Sequence, residues 1–164
     1  MVKWLIKSVL IRLKPIIRIL AEISDLRVNH HCIAQGQNPL IFDDAKNRNI
    51  PKSVYFNTRS GVIRVGKNTI FGEDVKLLTG THYNIYEAKK HGVPLHFVPE
   101  EGRDIIIGKG CFIGSSAIII GKVTIGDYAV IGAGSVVTKD VPPRAFVAGI
   151  PAKILKMFPE EEIS

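Results

Sequence analysis

His82 is the side chain in this sequence that is best placed for proton chemistry. It follows Thr79, Gly80 and Thr81, where a regular aliphatic pattern breaks off and a long polar segment begins. Histidine ordinarily titrates near neutrality, so it can take a proton from a hydroxyl or an amine there. We predict that His82 is a general base on the edge of a rigid element. The plainer alternative is a surface histidine with a structural hydrogen bond.

The sequence leaves open which group would orient this imidazole. A main-chain carbonyl could do so, and so could one of several nearby carboxylates. These carboxylates are Asp74, Glu87, Glu100 and Glu101. Two further histidines, His91 and His96, lie in the polar segment and are weaker candidates for lining an acceptor pocket.

A six-residue period must position His82. Between residues 107 and 141, aliphatic residues recur at every sixth position, glycine often follows, and a small or slender residue stands four places on. The aliphatic positions are Ile107, Ile113, Ile119, Ile125, Ile131 and Val137, and the slender ones are Cys111, Ala117, Val123, Ala129, Ser135 and Val141. This period fits neither a helix nor an alternating strand. It predicts a solenoid with three short strands in each turn.

The same period runs through residues 65–77 and resumes at Ile107, thirty residues after Leu77, which is a multiple of six. Residues 83–104 should therefore form a loop extruded from the solenoid, and such insertions commonly lie on the binding face. We expect the solenoid to end after Val141, because Pro142 and Pro143 cannot donate to a strand ladder. A further strand at residues 146–148 and a short terminal segment at residues 152–157 should follow.

Longer motifs resemble a known family. Residues 131–143 read IGAGSVVTKDVPP and residues 148–153 read AGIPAK, and both are similar to the hexapeptide-repeat acyltransferases. The resemblance covers roughly residues 50–156 and is strongest for the galactoside, maltose and xenobiotic acetyltransferase branch and related polysaccharide O-acetyltransferases. It implies an all-β, left-handed parallel β-helix. It also implies acetyl-CoA as the acyl donor and a catalytic base at the histidine of Thr-Gly-x-His, here His82.

The resemblance also implies where the donor would bind. In this family coenzyme A lies along the coils between subunits of a homotrimer, near the C-terminal repeats. The matching positions are Ser115, Ala133, Thr138 and Lys139. Some hexapeptide β-helices are zinc carbonic anhydrases with two histidines five residues apart. His91 and His96 have that spacing but lie in the loop, so we expect no metal.

Composition limits the partners. The net charge of +7 points to an anionic partner, but no aromatic–basic alternation or zinc-finger spacing suggests nucleic acid. Coenzyme A and anionic lipid are therefore the better expectations. Only Cys32 and Cys111 are present, which argues against a disulfide framework and for a reducing cytoplasm.

Residues 1–23 are apolar but interrupted by cations, which excludes a plain transmembrane helix. On a helix, Lys3, Lys7, Lys14 and Arg18 would fall on one side. Either this segment caps the solenoid, or it lies on the inner face of a membrane as an amphipathic helix. We expect residues 24–157 to form the β-helix domain and residues 158–164 an acidic tail.

Together these features predict an acetyltransferase that acts on a sugar hydroxyl in polysaccharide biosynthesis. Transfer to the amine of an amino sugar or an antibiotic is an alternative. A non-enzymatic β-helix that serves as an assembly scaffold is a third possibility, and it would not bind coenzyme A at all.

Overall fold

The computed structural model describes residues 33–34, 36–44 and 50–160. The expected amphipathic helix of residues 1–23 and most of the expected acidic tail lie outside the described residues. Of the two units into which the chain divides, only the one spanning Cys32–Ser164 is described here.

The described part of the chain consists of short strands and one helix. The strands are β1 (Ile33–Ala34), β2 (Leu40–Phe42), β3 (Tyr55–Asn57), β4 (Ile63–Val65), β5 (Ile70–Phe71), β6 (Lys76–Leu78), β7 (Ile105–Ile107), β8 (Phe112–Ile113), β9 (Ile118–Ile120), β10 (Val123–Ile125), β11 (Val130–Ile131), β12 (Val136–Val137), β13 (Ala145–Gly149) and β14 (Ala152–Met157). The helix, α1, spans Ile85–His91.

The strands form three sheets that wind around one core. Sheet A has the order β1-β3-β6-β9-β12, sheet B the order β2-β4-β7-β10, and sheet C the order β5-β8-β11-β13-β14. From β4 to β12 the chain visits B, C and A in turn, and the pairing is parallel. Ile113 pairs with Ile131, eighteen residues on, so each coil contains three six-residue repeats with one short strand in each. The period predicted from the sequence is confirmed.

Every aliphatic position of the period lies inside the coil. Ile113, Ile119 and Ile131 are completely buried, and the slender positions Ala117 and Ala129 are too. Each inward side chain stacks on its copy one coil away, since Ile119 pairs with Val137. Burying a side chain of this size contributes about 1.5–3 kcal/mol, so the stack supplies most of the stability of the coils.

The solenoid does not end at Val141, contrary to the prediction. Val141 forms a parallel bridge with Ile125, and β13 then pairs in parallel with β11. Pro142 and Pro143 lie between these two elements, at a corner where no ladder hydrogen bond is needed. The coil therefore tolerates them. β14 turns back antiparallel to β13 and forms the edge of sheet C.

Close stacking at the corners explains the glycines of the repeat. A Cβ on Gly114 would lie 2.6 Å from the backbone nitrogen of Ala133 in the next coil. Only a residue without a side chain allows the two corners to approach this closely.

One long segment leaves the coils without disturbing them. Leu77 in β6 pairs with Ile119 in β9, forty-two residues on instead of eighteen. The extra residues lie between β6 and β7 and include α1, which the sequence analysis treated only as loop. Asn84 and Glu87 form a capping box at its start, and Gly92 ends it in the left-handed conformation (φ 66°). We call residues 79–104 the extruded segment.

Candidate functional site

The candidate site lies where the chain crosses from sheet A to sheet B, which we call the A–B corner. The crossings stack in the order of the strands of sheet A. From the N-terminal side they are residues 36–39, 58–62, the extruded segment, 121–122 and 138–140. Neighbouring strands are about 4.8 Å apart, so successive crossings are close neighbours in space. His82 lies in the third crossing, with two crossings on either side.

The imidazole of His82 is exposed and held in one orientation. Its Nδ1 lies 3.1 Å from the main-chain oxygen of His96. A carbonyl oxygen can only accept, so Nδ1 carries the hydrogen and donates it. In the neutral imidazole Nε2 is then the unprotonated nitrogen and can accept a proton. This arrangement is the one that a general base requires.

The backbone of the extruded segment brings that carbonyl to His82. The amide of Tyr83 donates to the oxygen of Phe97 at 2.8 Å, and the amide of His96 donates to the oxygen of Tyr83 at 3.2 Å. His96 has a positive φ of 62°, a conformation that histidine adopts more readily than most residues. The group that orients His82 is thus a main-chain carbonyl from the far end of the same segment.

Two of the carboxylates considered from the sequence, Glu87 and Asp74, lie elsewhere or have another role. Glu87 accepts from the amide of Asn84 at 3.0 Å as part of the helix cap. Asp74 lies between β5 and β6, at the corner between sheets C and A. Neither is needed to explain the orientation of His82.

His91 is exposed and contacts another ring of the extruded segment. Its ring lies 5.2 Å from that of Tyr83, which in turn lies 5.8 Å from the ring of Phe97. The rings of His82 and His96 are 6.4 Å apart. Aromatic contacts at these distances stabilise the segment. They give His91 a packing role, and the main chain of His96 has the clearer link to the site.

Two residues that the sequence did not single out, Asn57 and Arg103, fix the start of the segment to the coil. The main-chain oxygen of Asn57 accepts from the hydroxyl of the buried Thr79 at 2.7 Å. The side-chain oxygen of Asn57 accepts from the amide of Gly80 at 3.2 Å. Arg103, at the other end of the segment, donates from Nε to the oxygen of Thr79 at 2.7 Å. Both ends of the segment are therefore tied to one point, two or three residues before His82.

Four residues are predicted to contact the donor, and they lie at the two edges of sheet A. Thr138 and Lys139 lie at the A–B corner, two crossings beyond His82. Ser115 and Ala133 lie at the opposite edge, between sheets C and A. They do not form one cluster. Aliphatic side chains cover the surface between the two pairs, namely Ile118, Ile120 and Val136.

Lys122 also lies at an edge of sheet A. It is exposed and lies at the A–B corner between His82 and Lys139. The sequence signal that could have found it is its place in the turn after β9, one coil before Lys139. Two exposed ammonium groups thus lie on one side of His82, and an anionic ligand would be favoured there.

Cys111 has no access to the site. It is 1% exposed and fills a slender position of the core. Its thiol lies 3.2 Å from the oxygen of Gly126, to which it can donate. Burial raises the pKa of this thiol above its ordinary value. A buried, protonated thiol is a poor nucleophile.

Two absences hold for residues 33–34, 36–44 and 50–160. No three His, Cys, Asp or Glu side chains there are grouped so that they could hold a metal ion. No helix in the same ranges is long and apolar enough to cross a membrane.

Comparison with known proteins places this geometry in context. Residues 104–139 match the family described as bacterial transferase hexapeptide (six repeats). Galactoside O-acetyltransferase of Escherichia coli is 34% identical over 123 residues, which are 72% of this chain and 58% of that protein. The chain spans somewhat less than three fifths of the length of the curated relatives that head the comparison.

Solved structures agree in fold. A hexapeptide-repeat-containing acetyltransferase of Vibrio cholerae, complexed with acetyl coenzyme A, superposes with a TM-score of 0.52 at 25% identity, over 78% of this chain and 69% of that one. A galactoside acetyltransferase in complex with coenzyme A gives a TM-score of 0.51 at 29% identity, over 80% and 66%. The left-handed parallel β-helix predicted from the sequence is therefore confirmed.

Proposed function

Residues 104–139 of this chain match the bacterial transferase hexapeptide family, and we propose that the protein is an acetyltransferase that uses acetyl-CoA. The observation that carries the proposal is the hydrogen bond from Nδ1 of His82 to the oxygen of His96. It leaves Nε2 as a proton acceptor at the A–B corner, beside a face framed by Lys122 and Lys139. Relatives in complex with acetyl-CoA or coenzyme A support the choice of donor.

His82 acts as the general base. Acetyl-CoA supplies a thioester whose carbonyl carbon is open to attack by an oxygen. His82 accepts the proton of the acceptor hydroxyl at Nε2 as the new C–O bond forms. The imidazolium then returns that proton to the departing sulfur as the C–S bond breaks. The proton balance closes without a covalent acyl-enzyme, which agrees with the burial of Cys111.

The donor lies along the outer face of sheet A. Lys139 and Lys122 pair with its phosphates, and Thr138 is beside them at the same corner. Ser115 and Ala133 bound the other edge, where both are exposed. The aliphatic surface between the edges suits the uncharged arm of the donor. The residues present thus fit a long ligand that is anionic at one part and apolar at another.

The acceptor is a sugar hydroxyl, in a polysaccharide or its precursor. The similarity to a galactoside O-acetyltransferase supports a saccharide over other acceptors. Nε2 could equally take the proton of an attacking amine, so the amine of an amino sugar is the alternative acceptor. The cations of residues 1–23 would place the enzyme at the cytoplasmic face of a membrane, near lipid-linked saccharides.

We further propose a homotrimer with an active site at each subunit interface. Sheet C supports it, because its outward side chains form an apolar row in register across four strands. These are Ile70, Phe112, Val130 and Phe146, of which Ile70 is 49% and Phe112 47% exposed. Such a row is more often covered by a partner than left in water. A single-chain mass by light scattering would rule out the trimer.

Donor binding separates an enzyme from a scaffold. We expect acetyl-CoA to raise the melting temperature, because a ligand at about 100 times its Kd stabilises the folded state by about 2.7 kcal/mol. Lys139→Gln should weaken binding about tenfold, as expected for the loss of one charged contact. Lys67→Gln is the matched control, since Lys67 is an exposed cation between β4 and β5. If acetyl-CoA leaves the melting temperature unchanged and no sugar or amine acceptor leads to release of the coenzyme A thiol, the non-enzymatic scaffold is the better account.

A further inference from the structure

A cavity opens at the A–B corner on the side of His82 that faces away from Lys139. Its volume is about 670 Å³, within the usual range for small-ligand sites. Its described lining residues come from the first two crossings and from the end of the extruded segment. They are Gly36, Gln37, Asn38, Arg59, Val98 and Glu100. His82 thus lies between this cavity and the face proposed for the donor.

Specific hydrogen bonds build the cavity wall. The side-chain amide of Asn38 donates to the oxygen of Arg59 at 3.2 Å and to that of Glu100 at 2.7 Å. One amide thus joins three crossings. Gly36 permits this, because a Cβ there would lie 2.4 Å from the backbone carbon of Thr58. These contacts fix the positions of the described wall residues relative to one another.

The wall is also joined to the segment that carries His82. The side-chain oxygen of Asn57 accepts from the amide of Arg59 at 3.0 Å and from the amide of Gly80 at 3.2 Å. A single side chain therefore fixes Arg59 and the start of the extruded segment relative to each other. A ligand in the cavity would be held at a constant position relative to the base.

Arg59 differs from the other arginines in the described ranges. Arg64 pairs with Asp43 at 2.8 Å, Arg144 pairs with Glu160 at 2.7 Å, and Arg103 donates to the oxygen of Thr79. The guanidinium of Arg59 has no hydrogen bond or ion pair with any described residue, although its backbone is fixed on both sides. It is the cation among the described lining residues.

We propose that Arg59 binds an anionic group, a carboxylate or a phosphate, on the saccharide acceptor. A guanidinium matches either group with two parallel hydrogen bonds. The carboxylate of Glu100 and the amides of Gln37 and Asn38 then accept from hydroxyls of the sugar. The inference rests on the proposed function and makes it narrower, since the acceptor becomes an acidic or phosphorylated sugar and not a neutral one.

Steady-state kinetics test this directly. Galacturonic acid, galactose 6-phosphate and methyl galactoside serve as acceptors for the wild type, Arg59→Gln and the control Lys67→Gln. We expect Arg59→Gln to raise KM about 10- to 100-fold for one or both anionic sugars, which corresponds to one charge-assisted contact. KM for acetyl-CoA and the rate with methyl galactoside should stay unchanged. Comparison of the two anionic sugars tells whether a carboxylate or a phosphate is preferred.

Binding without the donor separates the failure of this inference from failure of the proposed function. Saturation-transfer NMR measures contact of each sugar with the wild type and with Arg59→Gln. A signal from an anionic sugar that Arg59→Gln abolishes supports the inference even if no transfer is seen. Equal signals from neutral and anionic sugars, or equal loss for both in Arg59→Gln, overturn it. Acetyl transfer to methyl galactoside, with no preference for anionic sugars, would support the proposed acetyltransferase activity and overturn the proposed role of Arg59 in acceptor specificity.

Discussion

The regular coils and the extruded segment are stabilised by different physics. In the coils, buried aliphatic side chains repeat with the same spacing and stack on their copies, as Ile119 does on Val137. Within residues 79–104, Ala88 in the helix is the one buried apolar residue. That segment is held by its ends, through the bonds of Thr79 to Asn57 and Arg103.

This difference determines where chemistry can take place. The interior of a stacked coil is apolar and disfavours an ionised group, and burial there raises the pKa of the Cys111 thiol and keeps it protonated. The break in the stack exposes a histidine beside a rigid edge. The same break supplies the carbonyl of His96 that orients it. The coil fixes the position of His82, and the extruded segment leaves its ring exposed to solvent.

A pair of leucine substitutions offers the strongest test of this contrast. Leu77 is completely buried in β6, whereas Leu95 in the extruded segment is 51% exposed. Leu77→Ala should lower the free energy of unfolding by about 2–5 kcal/mol, since it leaves a cavity in the stack. Leu95→Ala should cost less than about 1 kcal/mol. Urea denaturation measures both, and similar losses would mean that the segment is part of the core.

A pair of arginine substitutions tests how the segment is anchored, with a smaller effect. Arg103→Ala removes a charge-assisted bond to the carbonyl of Thr79 and should cost about 1.5–3 kcal/mol. Arg64→Ala removes an exposed ion pair with Asp43 and should cost about 0–1 kcal/mol. Arg103→Ala should also slow acetyl transfer, because His82 loses its fixed position. An Arg103→Ala variant with normal stability and activity would show that the anchor is unnecessary.

The coils could be predicted because their signal is repeated and local. Six aliphatic positions with one period leave little choice of fold, and the register across the gap identified the segment that leaves the coil. Pro142 and Pro143 were misread because proline excludes a residue from a ladder but not from a corner. The capping residues Asn84 and Glu87 did carry a signal for α1, an Asn followed three residues later by Glu, at the start of a short helix.

The details of the site could not be predicted in the same way. The partner of His82 is a main-chain oxygen, which every residue possesses, so only the path of the backbone selects that of His96. Asn57 and Arg103 act on Thr79 across 22 and 24 residues, and no spacing rule connects them. Arg59 stands out only by contrast with arginines whose partners the fold reveals.

The most direct measurement of the central claim is acetyl transfer by His82→Ala compared with His96→Asn. His82→Ala removes the base and should lower kcat about 10²- to 10⁴-fold while acetyl-CoA still binds. His96→Asn keeps the main-chain oxygen that orients His82, and asparagine tolerates the positive φ at that position. Its activity should stay within a few-fold of the wild type. Equal rates for His82→Ala and the wild type, or a greater loss in His96→Asn than in His82→Ala, would contradict the assignment.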